Sequence, residues 1–114
     1  MEGLEILSYD GTGYDPTMKF GHWIVAIANY EERFDREKYT KIERHMKTDE
    51  VFVLLDGSAS LAIGMNREVV ELEPCKIYNV KAGVWHNILI DKGSKVLIVE
   101  NSDTSRDNSE YHTF

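Results

Sequence analysis

Apolar and polar positions alternate along most of this chain, and turn signals cut the alternation into segments of strand length. Trp23-Ile24-Val25-Ala26-Ile27-Ala28-Asn29-Tyr30 is rich in β-branched and small apolar residues, the pattern of a largely buried strand. Val51 to Leu55 is another such run, and Asp56-Gly57 after it is a hairpin signal. Ser58 to Ile63 alternates as a return strand should, and Gly64-Met65-Asn66-Arg67 makes the next turn. Glu68 to Leu72 is a short strand, closed by Pro74. Ile77 to Val80, His86 to Ile90 and Lys95 to Glu100 complete the series, with Asp91-Lys92-Gly93-Ser94 as a hairpin turn between the last two. Strands recurring at intervals of about 8–12 residues predict an all-β antiparallel sandwich or barrel.

Three regions depart from the alternation. Tyr30 to Lys41 is highly charged and predicts a loop or a short helical turn. The residues before Trp23 and the tail Asn101 to Phe114 are rich in Ser, Thr, Asp, Asn and Gly. They are expected on the surface or exchanged with a partner subunit. The expected organisation is one domain over residues 1–114, with a core of about 20–101 and polar termini, and the length of 114 residues fits that.

Composition narrows the partners. Twenty acidic against 13 basic residues give a net charge of −7. That balance argues against nucleic acid, whose phosphates need a basic face, and against docking on anionic membranes. No apolar run approaches the length needed to span a bilayer. Met1-Glu2-Gly3-Leu4-Glu5 lacks the basic and apolar regions of a signal peptide. Cys75 is the single cysteine, so no internal disulfide forms and the cytoplasm is the expected compartment.

The candidate chemistry lies in Glu43-Arg44-His45-Met46-Lys47-Thr48-Asp49-Glu50 and in Gly83-Val84-Trp85-His86. If Lys41 to Met46 is extended, Glu43 and His45 share one face. A bend lets Glu50, on the next strand, return to the same place, and His86 arrives from a distant strand. Two imidazoles with one or two carboxylates are donors for Fe, Mn, Ni, Zn or Co, and do not choose among them. Each residue alone has a plainer reading: a core or surface histidine, a solvated glutamate. Arg44 and Lys47 alternate with the candidate ligands and should face away. Trp85 and Asn87 should point opposite to His86, Phe52 and Tyr78 should fill the core, and His22 and His112 carry no predicted site role. Glu68, Glu71 and Glu73 read as a solvated strand face.

His45-x4-Glu50-x6-Gly57 resembles the first motif of the cupin superfamily, and Gly83-x2-His86 resembles the core of its second. The resemblance runs from Glu43 to Ile90, and the flanking alternation extends it. It implies an antiparallel double-stranded β-helix, a jelly-roll barrel of the small RmlC-like type. It also implies that His45, Glu50 and His86 stand at three of the four usual ligand positions. Glu43 stands at the fourth, where the family pattern has histidine. The family's second motif opens on glycine where this chain has Cys75, and its proline and asparagine fall on Lys81 and Ile90. With Pro74 at the second turn position, Cys75 occupies the place where a type II turn favours glycine, which predicts a type I-like turn or local strain.

Three functions follow from the sequence. The first is a metal-dependent enzyme in which a sugar, sugar acid or keto or hydroxy acid chelates a divalent ion and Glu43 or Glu50 moves a proton. The second is a non-catalytic cupin that binds a small ligand without metal, as the replaced histidine suggests. The third is a filled barrel kept for dimerisation. The acidic surroundings favour neutral or weakly acidic ligands over phosphorylated ones. Edge strands that need cover point to a homodimer.

Overall fold

The computed structural model describes residues 2–104 and 106–114. The strands are β1 (Tyr14–Phe20), β2 (Trp23–Asn29), β3 (Lys41–His45), β4 (Glu50–Asp56), β5 (Ala59–Ile63), β6 (Glu68–Glu71), β7 (Tyr78–Val80), β8 (His86–Ile90), β9 (Lys95–Asn101) and β10 (Ser109–Thr113). Two short 3-10 helices, Glu32–Phe34 and Arg106–Asn108, are the helical elements among the described residues. The strands form two five-stranded sheets, in the orders β1-β2-β9-β4-β7 and β10-β3-β8-β5-β6. Neighbouring strands pair antiparallel throughout. This is the all-β jelly roll that the alternation and the resemblance predict. Among the described residues no helix is long and apolar enough to cross a membrane.

Side chains on a strand alternate between its faces. One face of β4 carries Glu50, Phe52 and Leu54, one face of β8 carries His86, Ile88 and Ile90, and one face of β9 carries Val96, Ile98 and Glu100. The apolar members of these stripes meet in one core with Ala26 and Ala28 of β2, Phe34, Leu61 and Val80. Each stripe ends in an ionisable residue at the same end of the barrel. The inner face is therefore a hydrophobic core that turns polar at one end.

The seven strands predicted between Trp23 and Glu100 are all present, with ends shifted by at most one residue. The charged stretch after Tyr30 contains the 3-10 helix Glu32–Phe34, whose Phe34 is buried in the core. The termini lie at the surface, as expected, but they also form regular structure. Residues 14–20 form β1 on the edge of one sheet, and residues 109–113 form β10 on the edge of the other, so regular structure reaches beyond 20–101. Polar composition hides both strands, because an edge strand exposes most of its side chains and shows weak apolar alternation. Glu71 is also more than solvated surface: it accepts hydrogen bonds from the Ser60 hydroxyl at 2.7 Å and from Arg36 at 3.3 Å.

Two turn positions carry opposite constraints. Gly57 has φ +78°, and a Cβ there would lie 2.9 Å from the Ser94 Cα in the neighbouring hairpin. The close approach lets the Ser94 hydroxyl accept the Ser58 N–H at 2.8 Å. Cys75 has φ +66° without being glycine, so its turn is of the strained kind. The ion pair between Lys76 and Glu73 and the 2.9 Å bond from the Glu73 N–H to the Tyr78 hydroxyl hold the turn nonetheless.

Gly57→Ala should therefore destabilise by about 1–3 kcal/mol. Cys75→Gly should stabilise by less than about 1 kcal/mol. Relief of about 1–2 kcal/mol of left-handed strain exceeds the roughly 0.4–1 kcal/mol lost by freeing the unfolded chain. Thermal denaturation of the two variants checks this, and a lowered midpoint for Cys75→Gly would contradict it.

Candidate metal centre

The site forms where the two sheets approach each other at the polar end of the core. Register places its members. Glu43 of β3 lies directly opposite His86 of β8, and Glu50 of β4 lies directly opposite Glu100 of β9. His45 follows Glu43 on the same face of β3. All four predicted residues, Glu43, His45, Glu50 and His86, are thereby brought together, and they line one cavity of about 160 Å³. Glu43, His45 and His86 each offer a ligand atom within 4.8 Å of the others. Glu50 sits between the two imidazoles, its Oε1 3.0 Å from His86 Nε2 and 3.1 Å from His45 Nε2. His45 Nε2 is 3.8 Å from Glu43 Oε1.

The outer nitrogens of both rings are committed elsewhere. His86 Nδ1 lies 3.0 Å from the Val84 carbonyl oxygen, an acceptor, so that nitrogen carries a proton. His45 Nδ1 lies 2.8 Å from the Ser109 hydroxyl of β10. Both Nε2 atoms then point inward at one carboxylate. This is the outer-sphere arrangement that fixes an imidazole's tautomer and aims its lone pair at a metal. The Glu50 contact with His45 is close but poorly directed, and His45 Nε2 is a buried nitrogen with no hydrogen-bond partner. A buried polar atom of that kind costs free energy unless something else satisfies it. Two imidazoles and a carboxylate around an unsatisfied nitrogen fit a first-row divalent ion.

The electrostatics follow from crowding. Burial pushes the Glu50 carboxyl up, but the close approach of both imidazoles and their charges outweigh it and hold it at about 2. Burial disfavours charge on both imidazoles, yet the adjacent Glu50 and the more distant Glu43 raise them above their usual 6.5. Glu100 goes the other way: burial, then the negative charge of Glu50, pushes it up to about 7. Tyr14 donates its phenol proton to Glu100, and burial together with that bond raises the phenol above its usual range. The site thus holds a carboxylate kept ionised beside one that keeps its proton near neutrality, the divergence that marks functional sites.

Glu100, Tyr14 and Ser109 are site members that the sequence reading passed over. Glu100 had a signal, since it lies in phase with the buried Val96 and Ile98 of its strand. Tyr14 and Ser109 lie on the two edge strands whose existence the polar termini conceal. Phe52 packs in the core and edge-on to His86, with ring centres 5.9 Å apart. Arg44 faces away as expected, pairing with Glu110 and lying 4.6 Å from the Trp85 ring. Trp85 is on that same outer surface and contacts the His112 ring. Asn87 borders the cavity and donates from Nδ2 to the Arg33 carbonyl at 3.1 Å, in the gap that opens where β8 leaves its pairing with β3 after His86.

No family model and no curated protein matches this sequence. Solved structures do match the fold. Streptomyces PAC13 with uridine superposes with a TM-score of 0.67 at 10% identity, over 93% of this chain and 83% of that one. A cupin-2 domain containing protein from Shewanella frigidimarina gives 0.62 at 18% identity, over 82% and 84%. FeII HppE gives 0.53 at 21% identity, over 69% of this chain and 41% of that one. With sheets in this order and neighbours of this kind, the chain has a cupin-like jelly-roll fold.

Proposed function

We propose that Glu43, His45, Glu50 and His86 hold a divalent metal ion inside the barrel and that the protein acts on a small polar metabolite. A sugar, sugar acid or keto or hydroxy acid is the class that fits. The observation carrying this reading is the convergence of ligand atoms from Glu43, His45 and His86 within 4.8 Å of one another, with His45 Nε2 buried and without a hydrogen-bond partner. Fe, Mn, Ni, Zn and Co all suit the donors. The bound ion supplies Lewis-acid polarisation of a chelated hydroxyl or carbonyl. Glu43 and Glu50 are the two carboxylates that line the same cavity and can move a proton on the substrate. Glu100 keeps a proton beside Glu50, with Tyr14 bonded behind it. Phe52, Ile88 and Ile98 form the dry wall that strengthens these interactions. Two structural neighbours support the class: PAC13, a nucleoside dehydratase solved with uridine, and HppE, solved with FeII.

One observation favours a metal-free binding module instead. Glu50 bridges both imidazoles at 3.0 and 3.1 Å, so two protonated rings balance the buried carboxylate without any ion. We also propose a homodimer working in the cytoplasm. Exposed Phe20 and Trp23 at the β1–β2 hairpin, packed edge-on with ring centres 6.0 Å apart, support an interface there.

Titration of the apo protein with Mn²⁺, Zn²⁺ and Fe²⁺, the last without oxygen, should show one ion per chain. His86→Ala and His45→Ala should abolish uptake, and Ser109→Ala should weaken it about tenfold, since it only steers His45. No uptake of any of the three ions, with a sugar or organic acid still stabilising the protein, would select the metal-free reading.

The pH dependence of the apo protein separates the charges. A histidine raised above 6.5 contributes stability that is fully present below 6.5 and lost as pH rises through its folded value. Glu100, raised from its usual 4.5 to about 7, also favours the fold at low pH and loses that contribution as pH rises through about 7. Glu50, depressed to about 2, contributes above 4.5 and loses it as pH falls towards 2. Apo stability should therefore peak near pH 4.5, fall as Glu100 ionises up to about 7, and fall further towards pH 8.5 as the imidazoles lose their protons. Added metal should raise the melting temperature more at pH 8 than at pH 6, because imidazole protons compete with the ion. A flat apo profile between pH 6 and 8.5 would contradict the assigned charges.

Light scattering at micromolar concentration should give twice the chain mass of 13.1 kDa. Trp23→Glu should shift it towards the monomer.

A further inference from the structure

The second sheet has a weak seam. β3 pairs with β10 through five register positions and β8 pairs with β5 through five, but β3 and β8 meet only at Glu43 and His86. Beyond that pair the strands diverge, and the 3-10 helix Glu32–Phe34 packs against β8 in the gap. Asn87 anchors it by donating to the Arg33 carbonyl. A second cavity, of about 390 Å³, lies along this seam and is lined in part by Lys38, Tyr39, Lys41 and Tyr111. Arg33, Glu43 and Asn87 line both this cavity and the metal chamber, so the two adjoin there.

The outer cavity carries cations in an acidic protein. Arg33, Lys38 and Lys41 face it, against Glu32 and Glu43. Arg33 is paired with Glu31. Lys38 has only a long 3.7 Å contact with the exposed Glu32. Lys41 has no ion-pair partner among the described residues, and its ammonium lies 5.6 Å from the centre of the Tyr111 ring. Lys41 is two residues before Glu43 on one strand, which puts it on the same face about 7 Å further out. That is about the reach of an extended six-carbon chain.

We propose that this seam is the substrate's way in and that the outer cavity binds the substrate's far end as a carboxylate, held by Lys38 and Lys41. The inference rests on the metal reading above and narrows its substrate class to a sugar diacid or an elongated hydroxy diacid. One end, a hydroxy acid, chelates at Glu43, His45 and His86. The other end, a carboxylate, takes Lys38 and Lys41 outside the seam. Arg33, at the junction of the two cavities, faces the hydroxyl-bearing middle of the chain.

Glucarate and gluconate test this directly. They share chain length and the chelating hydroxy-acid end, and differ only in carrying a carboxylate or a hydroxymethyl group at the far carbon. Calorimetric titration into the Mn²⁺-loaded protein should show glucarate binding about tenfold tighter, the effect of one well-placed charge pair near a surface. The preference should shrink as salt is raised. In the double variant Lys38→Gln, Lys41→Gln the two acids should bind equally, while Mn²⁺ affinity and melting temperature stay at the wild-type values. Equal binding of the two acids to the wild type, or a preference that survives in the double variant, overturns the proposal. Failure of both acids to bind also overturns it and leaves the metal reading, judged by Mn²⁺ uptake, intact. If Mn²⁺ is not taken up, the metal reading falls, and the same pair titrated into the apo protein decides the subsite by the same criterion.

Discussion

The structure turns on one buried carboxylate. Glu50 is 7% exposed, sits at the head of a stripe that continues into Phe52 and Leu54, and has two imidazole nitrogens within 3.1 Å. Taking a carboxylate out of water costs several kcal/mol unless charge and hydrogen bonds replace the water. Two sources of positive charge can do that here: a proton on each of His45 and His86, or a divalent ion beside neutral rings. The two are equal in charge and compete for the same Nε2 atoms. A pocket that holds imidazole protons tightly is for that reason also one that attracts a metal. The raised histidines and the candidate metal centre are two expressions of a single electrostatic demand made by Glu50.

The other members fall into place around that demand. Glu100 is held opposite Glu50 by strand register, and two carboxylates at that separation do not both ionise readily near neutrality. Tyr14 completes the pair by donating to Glu100 from an edge strand. Ser109 does the corresponding work for His45 from the edge of the other sheet. The edge strands are thus part of the site, though they contribute little to the core. Because Phe52, Ile88 and Ile98 share faces with Glu50, His86 and Glu100, core packing fixes the positions of the ionisable groups to the accuracy of the strand register.

This division explains what the sequence discloses. Strands buried on their inner face announce themselves by alternation, so β2, β4, β5, β8 and β9 are legible, and with them the positions of Glu50 and His86. Glu43 and His45 are legible through spacing once β3 is taken as extended. Edge strands carry polar residues on most positions, so β1 and β10 read as tails and take Tyr14 and Ser109 out of view. Glu100 was readable in principle: a charge in phase with Val96 and Ile98 breaks an inward stripe, and such a break points to a site or to a strand end. The bond from Asn87 to the Arg33 carbonyl was not readable. It follows from the seam between β3 and β8, and pairing extent is a tertiary property that local pattern does not encode.

Glu43 gives the seam its sense. The cupin motif that this stretch resembles places an imidazole there, and a carboxylate changes the charge of the centre as well as its donor. With neutral rings on His45 and His86, a divalent ion held there would balance Glu43 and Glu50 and leave the centre without net charge. Any acidic ligand then brings uncompensated negative charge into a low-dielectric chamber, where it is costly. An imidazole at that position would leave positive charge over for such a ligand. In this chain the compensation has to come from outside the first ring of residues, and Glu43 stands on the boundary between the metal chamber and a cavity lined by Arg33, Lys38 and Lys41. With a metal in place, the carboxylate at the centre and the cations beyond the seam would form one arrangement: the positive charge that Glu43 cancels at the centre would be supplied again by Lys38 and Lys41.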